Sequence, residues 1–286
     1  MFDVNSFHKD LKENLKTQNI DFFRQLLEEP LDILKKEPVL LSLESHQSFI
    51  IGDTHGDIKS TLKVIELTLD REKNQQVVFL GDYIDRSEED IENLHLVLEF
   101  KRQFPNRVFL LRGNHEAPEI NKRYGFQNNL ASNGLKPLTQ QYIEIMGELP
   151  LAAQIGRTFL VHGGIAENLA SLDNIRMLKK SISPEDDLTI QLLWNDPDES
   201  IEGFEENIFR GSEIRLFGSK AFESFMTTNN LEYMIRAHVP YPKGYAWFFN
   251  EKLLSIFTCK EYYGKPRIIA ETNGDSKPVV LNLDSL

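Results

Sequence analysis

Three apolar runs rich in β-branched and aromatic residues each end in a short polar block, and this punctuation restricts the fold more than any other feature of the chain. Phe49-Ile50-Ile51 leads into Gly52-Asp53-Thr54-His55-Gly56-Asp57, Val77-Val78-Phe79-Leu80 into Gly81-Asp82-Tyr83-Ile84-Asp85-Arg86, and Val108-Phe109-Leu110-Leu111 into Arg112-Gly113-Asn114-His115-Glu116. Such runs read as buried strands, and the stretches 59–70, 88–103 and 137–147 read as helices. The order is therefore α/β, with carboxylate, imidazole and carboxamide groups gathered where neighbouring strands end.

A hairpin is expected at 151–161, turning at Gly156-Arg157 and ending at His162-Gly163-Gly164. The C-terminal third changes character: after a helix near 219–228, strands at 234–238, 245–250, 253–258, 266–271 and 278–283 imply a second sheet. A central β-sandwich of two mixed sheets flanked by helices accommodates both halves. Residues 1–45 lack the Gly-Asp punctuation and read as short amphipathic helices, carrying Phe7, Leu11 and Leu15, then Phe22, Phe23, Leu26 and Leu27. They are expected to pack as a cap on a catalytic domain over 46–286, a regulatory or partner-binding role being the alternative. Pro30 and Pro38 are expected to interrupt the helical segments.

With 286 residues and 41% apolar content, the chain can bury a substantial core. No run approaches the roughly 18 apolar residues of a membrane span, and Met1-Phe2-Asp3-Val4-Asn5 does not open a basic-then-apolar leader. Cys259 is the only cysteine, which excludes an internal disulfide or a thiolate zinc site and fits a reducing cytoplasm. Its place at a strand end marks it as structural. The net charge of −12 argues against a broad nucleic-acid or anionic-membrane surface, so a phosphate site must create its positive potential locally. The acidic runs Glu88-Glu89-Asp90 and Pro184-Glu185-Asp186-Asp187 lack ligand spacing and read as solvated helix starts or loops.

Mixed oxygen and nitrogen donors suit Mn²⁺, Fe²⁺ and Zn²⁺. Asp53, His55 and Asp82 are expected to hold one divalent ion, and Asn114, His162 and His238, with Asp82 as the bridge, a second. Two dications against two carboxylates and a hydroxide leave a positive balance, which attracts a phosphate monoester and generates hydroxide near neutral pH. Direct attack then needs no serine or cysteine nucleophile. His115, with Asp85 as its partner, is the candidate proton donor to the leaving alkoxide, while Arg86 and Arg210 offer planar forks to phosphate oxygens. Each residue alone has an ordinary explanation. Jointly the pattern is selective, because four of the seven histidines fall in these blocks. His8, His46 and His95 receive no chemical role.

These blocks resemble the phosphoprotein phosphatase family of serine/threonine phosphatases, within the calcineurin-like metallophosphoesterases, whose pattern runs GDxHG, GDYxDRG, RGNHE, HGG and RAH. Residues 120–126, 192–197 and 244–249 are also similar to family segments, so the resemblance covers roughly 49–284. It implies a β-sandwich with a dinuclear metal centre on the same six ligands, Asp85 and His115 as the acid pair, Arg86 and Arg210 on phosphate, and Tyr262 at the cleft rim. Phosphoserine and phosphothreonine proteins become the expected substrates, regulatory subunits possible partners, and Mn²⁺ the expected activator in vitro. The chain departs from the pattern at Ser87 for glycine, Asp57 for glutamine, one extra residue between Trp194 and Arg210, and the segment Thr258-Cys259-Lys260-Glu261-Tyr262-Tyr263. Two other readings stay open: a diadenosine polyphosphate hydrolase, whose motifs usually lack the Asp-Arg pair and carry Asp at the position of Glu116, and a catalytically silent phosphate-binding scaffold.

Overall fold

The structure is a computed structural model that describes residues 2–69 and 75–286. Met1 and Asp70, the last residue of the expected helix 59–70, lie outside the described residues. The chain begins with α1 (Val4–Lys16) and α2 (Ile20–Lys36), followed by β1 (Leu40–Leu43) and β2 (Ser48–Ile51). Next come α3 (Ile58–Thr68), β3 (Gln76–Phe79), α4 (Asp90–Gln103), β4 (Val108–Leu110), α5 (Pro118–Tyr124), α6 (Phe126–Ser132) and α7 (Thr139–Gly147). A hairpin of β5 (Ala152–Ile155) and β6 (Thr158–Val161) precedes α8 (Leu172–Arg176), α9 (Asp187–Trp194), β7 (Asp196–Pro197), β8 (Phe204–Glu206) and β9 (Arg215–Phe217). The chain closes with α10 (Ser219–Thr228), β10 (Tyr233–Arg236), β11 (Tyr245–Phe248), β12 (Leu253–Ile256), β13 (Ile268–Thr272) and β14 (Val279–Asn282).

Two mixed sheets, β1-β5-β6-β10-β12-β11 and β14-β13-β2-β3-β4, form the sandwich. Alternation along each strand explains the layers. Ile50 and Val78 of one sheet meet Leu160, Ile235 and Leu254 of the other in a shared apolar interior. Their neighbours Phe49, Ile51, Val77 and Phe79 face outward into a cluster with α1, α2, α4 and α7. Phe159, Val161 and Met234 face the opposite way, into α8, α9 and α10. The parallel strands β2, β3 and β4, and β6 and β10, bring their C-terminal ends to one edge of the sandwich.

The structure corrects four local expectations. Helix α2 runs through Pro30 without a break. The missing hydrogen bond, which typically costs about 3 kcal/mol or more in a helix interior, is offset by burial of Phe23, Leu27, Pro30 and Leu34. The expected 1–45 helical segment is helical only to Lys36, because Leu40–Leu43 pairs in parallel with β5 at the sheet edge. The C-terminal strands do not make a sheet of their own: β10–β12 join the six-stranded sheet, whereas β13 pairs with β2. A third sheet, β7-β9-β8, was not expected, its strands being too short to show a period. Cys259 is buried and burial pushes its thiol up to about 12, which leaves it inert as a nucleophile. No helix among the described residues is long and apolar enough to cross a membrane.

One buried group is expected to make the packing of α2 on α4 acid-sensitive. His95 on α4 packs against the ring of Phe23 and lies 2.7 Å through Nε2 from the Tyr142 hydroxyl, with Nδ1 unpartnered. Burial holds its pKa down at about 3. The unfolded chain takes up a proton below about pH 6.5 and the folded chain does not, so its share of stability is full above that pH. It falls by about 1.4 kcal/mol per pH unit on acidification until the folded pKa is reached. Urea titrations in chelator at pH 7.5 and 5.5 are expected to show a drop about 1.4 kcal/mol smaller in His95→Gln than in the parent; equal drops would discount His95.

Candidate active site

The polar blocks leave their strands through backbone conformations that ordinary residues avoid. His55, Asp82, Asp85, Arg86 and His238 have φ of 41°, 58°, 68°, 70° and 75°. Left-handed geometry at non-glycine residues is strained and persists only where surrounding contacts fix it. Here they do. Glu116, deep in the motif after β4, accepts Asp82 N–H at 2.8 Å, Tyr83 N–H at 2.9 Å and Gly113 N–H at 2.8 Å, locking the Asp82 turn to the next strand's block. The two blocks approach so closely that glycine is required at Gly81, where a Cβ would lie 2.2 Å from Gly113 N. His55 N–H and Thr54 N–H in turn bond Asp82 O.

Asp82 stands at the centre. Its Oδ2 is 3.5 Å from His55 Nε2, 3.4 Å from His162 Nε2 and 4.0 Å from His115 Nε2, and its Oδ1 accepts His115 N–H at 2.9 Å. Among the described residues two groups of donor atoms each converge within 4.8 Å, His55–Asp82–His115 and Asp82–His162–His238, and Asp82 belongs to both. Asp53 joins them with Oδ2 at 3.7 Å from His55 Nε2 while Oδ1 accepts His238 N–H at 2.9 Å. Asn114 Oδ1 lies 2.9 Å from His162 Nε2, which is also 3.1 Å from His238 Nδ1.

The donor set fits a metal. His55 Nδ1 donates to Ile84 O and His162 Nδ1 to Leu80 O, so both rings turn an Nε2 lone pair toward carboxylate oxygens that are themselves acceptors. Asp53 Oδ2 and His238 Nε2 are buried with no hydrogen-bond partner. Converging acceptors and orphaned buried atoms of this kind call for a cation.

The electrostatics agree. Burial, then the charge of Asp82, pushes Asp53 up to about 6. Burial opposes ionisation of Asp82, yet His162 and His115 overcome it and hold Asp82 well below the usual carboxylate range. Burial also opposes a charge on His162, but Asp82 outweighs it and raises its pKa, so this ring must release a proton to present its Nε2 lone pair to a metal. Burial keeps His55 near about 3, and burial with Arg210 keeps His238 low, as neutral ligands require.

Residues 48–242 match the calcineurin-like phosphoesterases. The chain belongs to that family. Among solved structures, the phosphoesterase is similar to a serine/threonine phosphatase from Saccharomyces cerevisiae with similarity to human phosphatase PP5, at TM-score 0.83 and 24% identity over 91% of this chain and 88% of that one. It also matches a cold-active protein-tyrosine phosphatase from a psychrophilic Shewanella species at TM-score 0.65 and 15% identity, over 89% of this chain and 83% of that one. At these identities the two matches establish the shared fold.

The phosphoesterase brings the remaining candidates around this centre. His115 Nδ1 donates to Asp85 Oδ2 at 2.6 Å, and Phe126 N–H holds Asp85 Oδ1 at 3.0 Å. Burial disfavours charge on His115, but Asp82 and Asp85 outweigh it and raise its pKa. Arg86 lies 4.1 Å from the ring centre of Tyr124 and 5.6 Å from that of the half-exposed Tyr262. Tyr124 also contacts His115, at 5.0 Å between ring centres. Arg210 stands over Trp194 at 5.8 Å, and Trp194 is edge-on to His238 at 5.5 Å. Arg210 Nε donates to Asp196 Oδ2 at 2.6 Å, while the other oxygen of Asp196 accepts from Arg236 at 3.0 Å.

Sequence reasoning gave no role to Tyr124, Asp196, Arg236 or Glu116, although all four lie inside segments it singled out. The signal was the company they keep: a fully buried arginine two residues before His238 needs acceptors, and Asp196 with Gly163 O supplies them. Two departures noted above also prove to be linked. Asp57 Oδ2 accepts Lys260 N–H at 2.8 Å and Glu261 N–H at 3.2 Å, pinning the loop that carries Tyr262 and Tyr263 to the end of the first motif.

Proposed function

We propose that this phosphoesterase is a metal-dependent serine/threonine protein phosphatase hydrolysing phosphoserine and phosphothreonine monoesters. Asp53, His55 and Asp82 would hold one divalent ion, and Asp82, Asn114, His162 and His238 a second. The observation that carries the reading is the His115–Asp85 pair set beside the shared carboxylate Asp82. An alkyl phosphate ester expels a poor alkoxide leaving group that needs a proton donor, whereas an anhydride expels a phosphate that does not. The similarity to the yeast serine/threonine phosphatase supports it, and the Shewanella neighbour makes phosphotyrosine the second substrate to examine.

Bound divalent ions would supply positive charge for phosphate oxygens and lower the pKa of a coordinated water toward neutrality. The chain's own residues do the rest. Arg86, fixed on the Tyr124 face, and Arg210, fixed by Asp196, orient the phosphoryl oxygens. Asp85 accepts a hydrogen bond from His115 Nδ1–H, which would turn the Nε2 proton toward the leaving oxygen, and the surrounding carboxylates favour the cationic ring that donates it.

Metal-stripped protein supplied with Mn²⁺ is expected to release phosphate from a phosphothreonine peptide. Diadenosine tetraphosphate and a phosphotyrosine peptide run in parallel. Cleavage of the dinucleotide alone would replace this reading with a polyphosphate hydrolase, and inertness on all three despite bound metal with a silent scaffold.

A further inference from the structure

The loop between β8 and β9 places two large apolar side chains in water, Ile208 at 76% and Phe209 at 93% exposure. The loop is nevertheless built. Asn207 at its base is buried, its N–H bonds Ile214 O at 2.9 Å, and its carbonyl accepts Arg210 N–H at 2.9 Å and Gly211 N–H at 3.1 Å. Its side-chain oxygen accepts Phe209 N–H at 3.3 Å, and its amide reaches Asp196 Oδ2 at 3.4 Å. The fold gains nothing from ordering two exposed hydrophobic groups. Position explains them: the next residue, Arg210, turns back to Asp196 and Trp194, and so to His238. Through Arg210 the apolar tip is tied to the Trp194–His238 side of the cluster, and the exposed carboxylates Glu205, Glu206 and Glu213 flank it in sequence.

Resting on the protein phosphatase reading, we infer that Ile208 and Phe209 form a subsite that selects phosphopeptides carrying a bulky apolar side chain beside the phosphoresidue and disfavours acidic neighbours there. An extended peptide advances about 3.3 Å per residue, so a side chain within about three positions of the phosphate reaches the tip. Burial of its apolar surface against Phe209 adds affinity, while a carboxylate there enters a segment whose exposed flanking acids, Glu205, Glu206 and Glu213, share its sign.

The test compares two phosphothreonine peptides identical except for Leu or Asp at the flanking positions, with p-nitrophenyl phosphate as a third substrate, all on Mn²⁺-loaded protein. The parent is expected to favour the Leu peptide by about tenfold or more in kcat/KM. Ile208→Ser with Phe209→Ser is expected to erase that ratio, and Phe209→Leu to keep most of it. Equal parent rates on the two peptides, or an unchanged ratio in the double variant, would overturn the subsite. Hydrolysis of p-nitrophenyl phosphate with neither peptide cleaved would instead overturn the protein phosphatase reading, and the subsite with it.

Discussion

Replacing His115 with asparagine is expected to slow hydrolysis of a phosphoserine peptide by about 10² to 10⁴-fold while leaving the bound Mn²⁺ unchanged. The side chain stands beside Asp82 at 4.0 Å from Nε2 to Oδ2 and edge-on to His55 at 4.7 Å between ring centres, but it is not among the six expected ligands. Its backbone N–H, which does hold Asp82, survives the substitution. What disappears is the ionisable proton that Asp85 aims and that the neighbouring carboxylates keep in place. The loss must therefore track the leaving group: severe for a serine alkoxide and mild for p-nitrophenolate, which departs without a proton. Parent-like rates on the phosphoserine peptide would remove His115 from the proton-donor role.

Asp82→Asn is expected to affect metal occupancy instead. Outer partners of a metal site typically cost 10 to 100-fold in affinity when removed, so loss of the carboxylate shared by both donor groups is expected to exceed about 100-fold. Its Oδ2 stands within 3.5 Å of the Nε2 atoms of both His55 and His162, and an amide there brings no charge to either side. His55→Asn, by contrast, should weaken one position and leave the other. Metal analysis after dialysis against limiting Mn²⁺ distinguishes them: low content in Asp82→Asn, about half in His55→Asn. Full and equal content in both variants and the parent would reject Asp82 as the shared ligand.

The fold class and the convergence of polar residues at one end of the sandwich were readable in advance because both are written in local blocks. A strand buried on both faces needs only a few apolar letters, and the residues that follow it must emerge at the sheet's end. The ligand candidates Asp53, His55, Asp82, Asn114, His162 and His238 thus fell together from five separate segments. What escaped depends on partners distant in sequence. β1 is four residues long and is defined by its pairing with β5. The strands of the third sheet have two or three residues each. Arg236 and Asp196 matter through a contact across 40 positions, which spacing does not reveal. Pro30 misled because propensity is a local cost and the burial that offsets it is not.

The division of the cluster between the two sheets has a further consequence. Asp53, His55, Asp82 and Asn114 follow strands of the five-stranded sheet, whereas His162 and His238 follow strands of the six-stranded one. The cluster therefore bridges the seam, and its spacing depends on how the two sheets sit on each other. A conservative change deep in the shared interior, at Ile235 or Val78, is expected to disturb the distance between its two halves as well as the stability of the core.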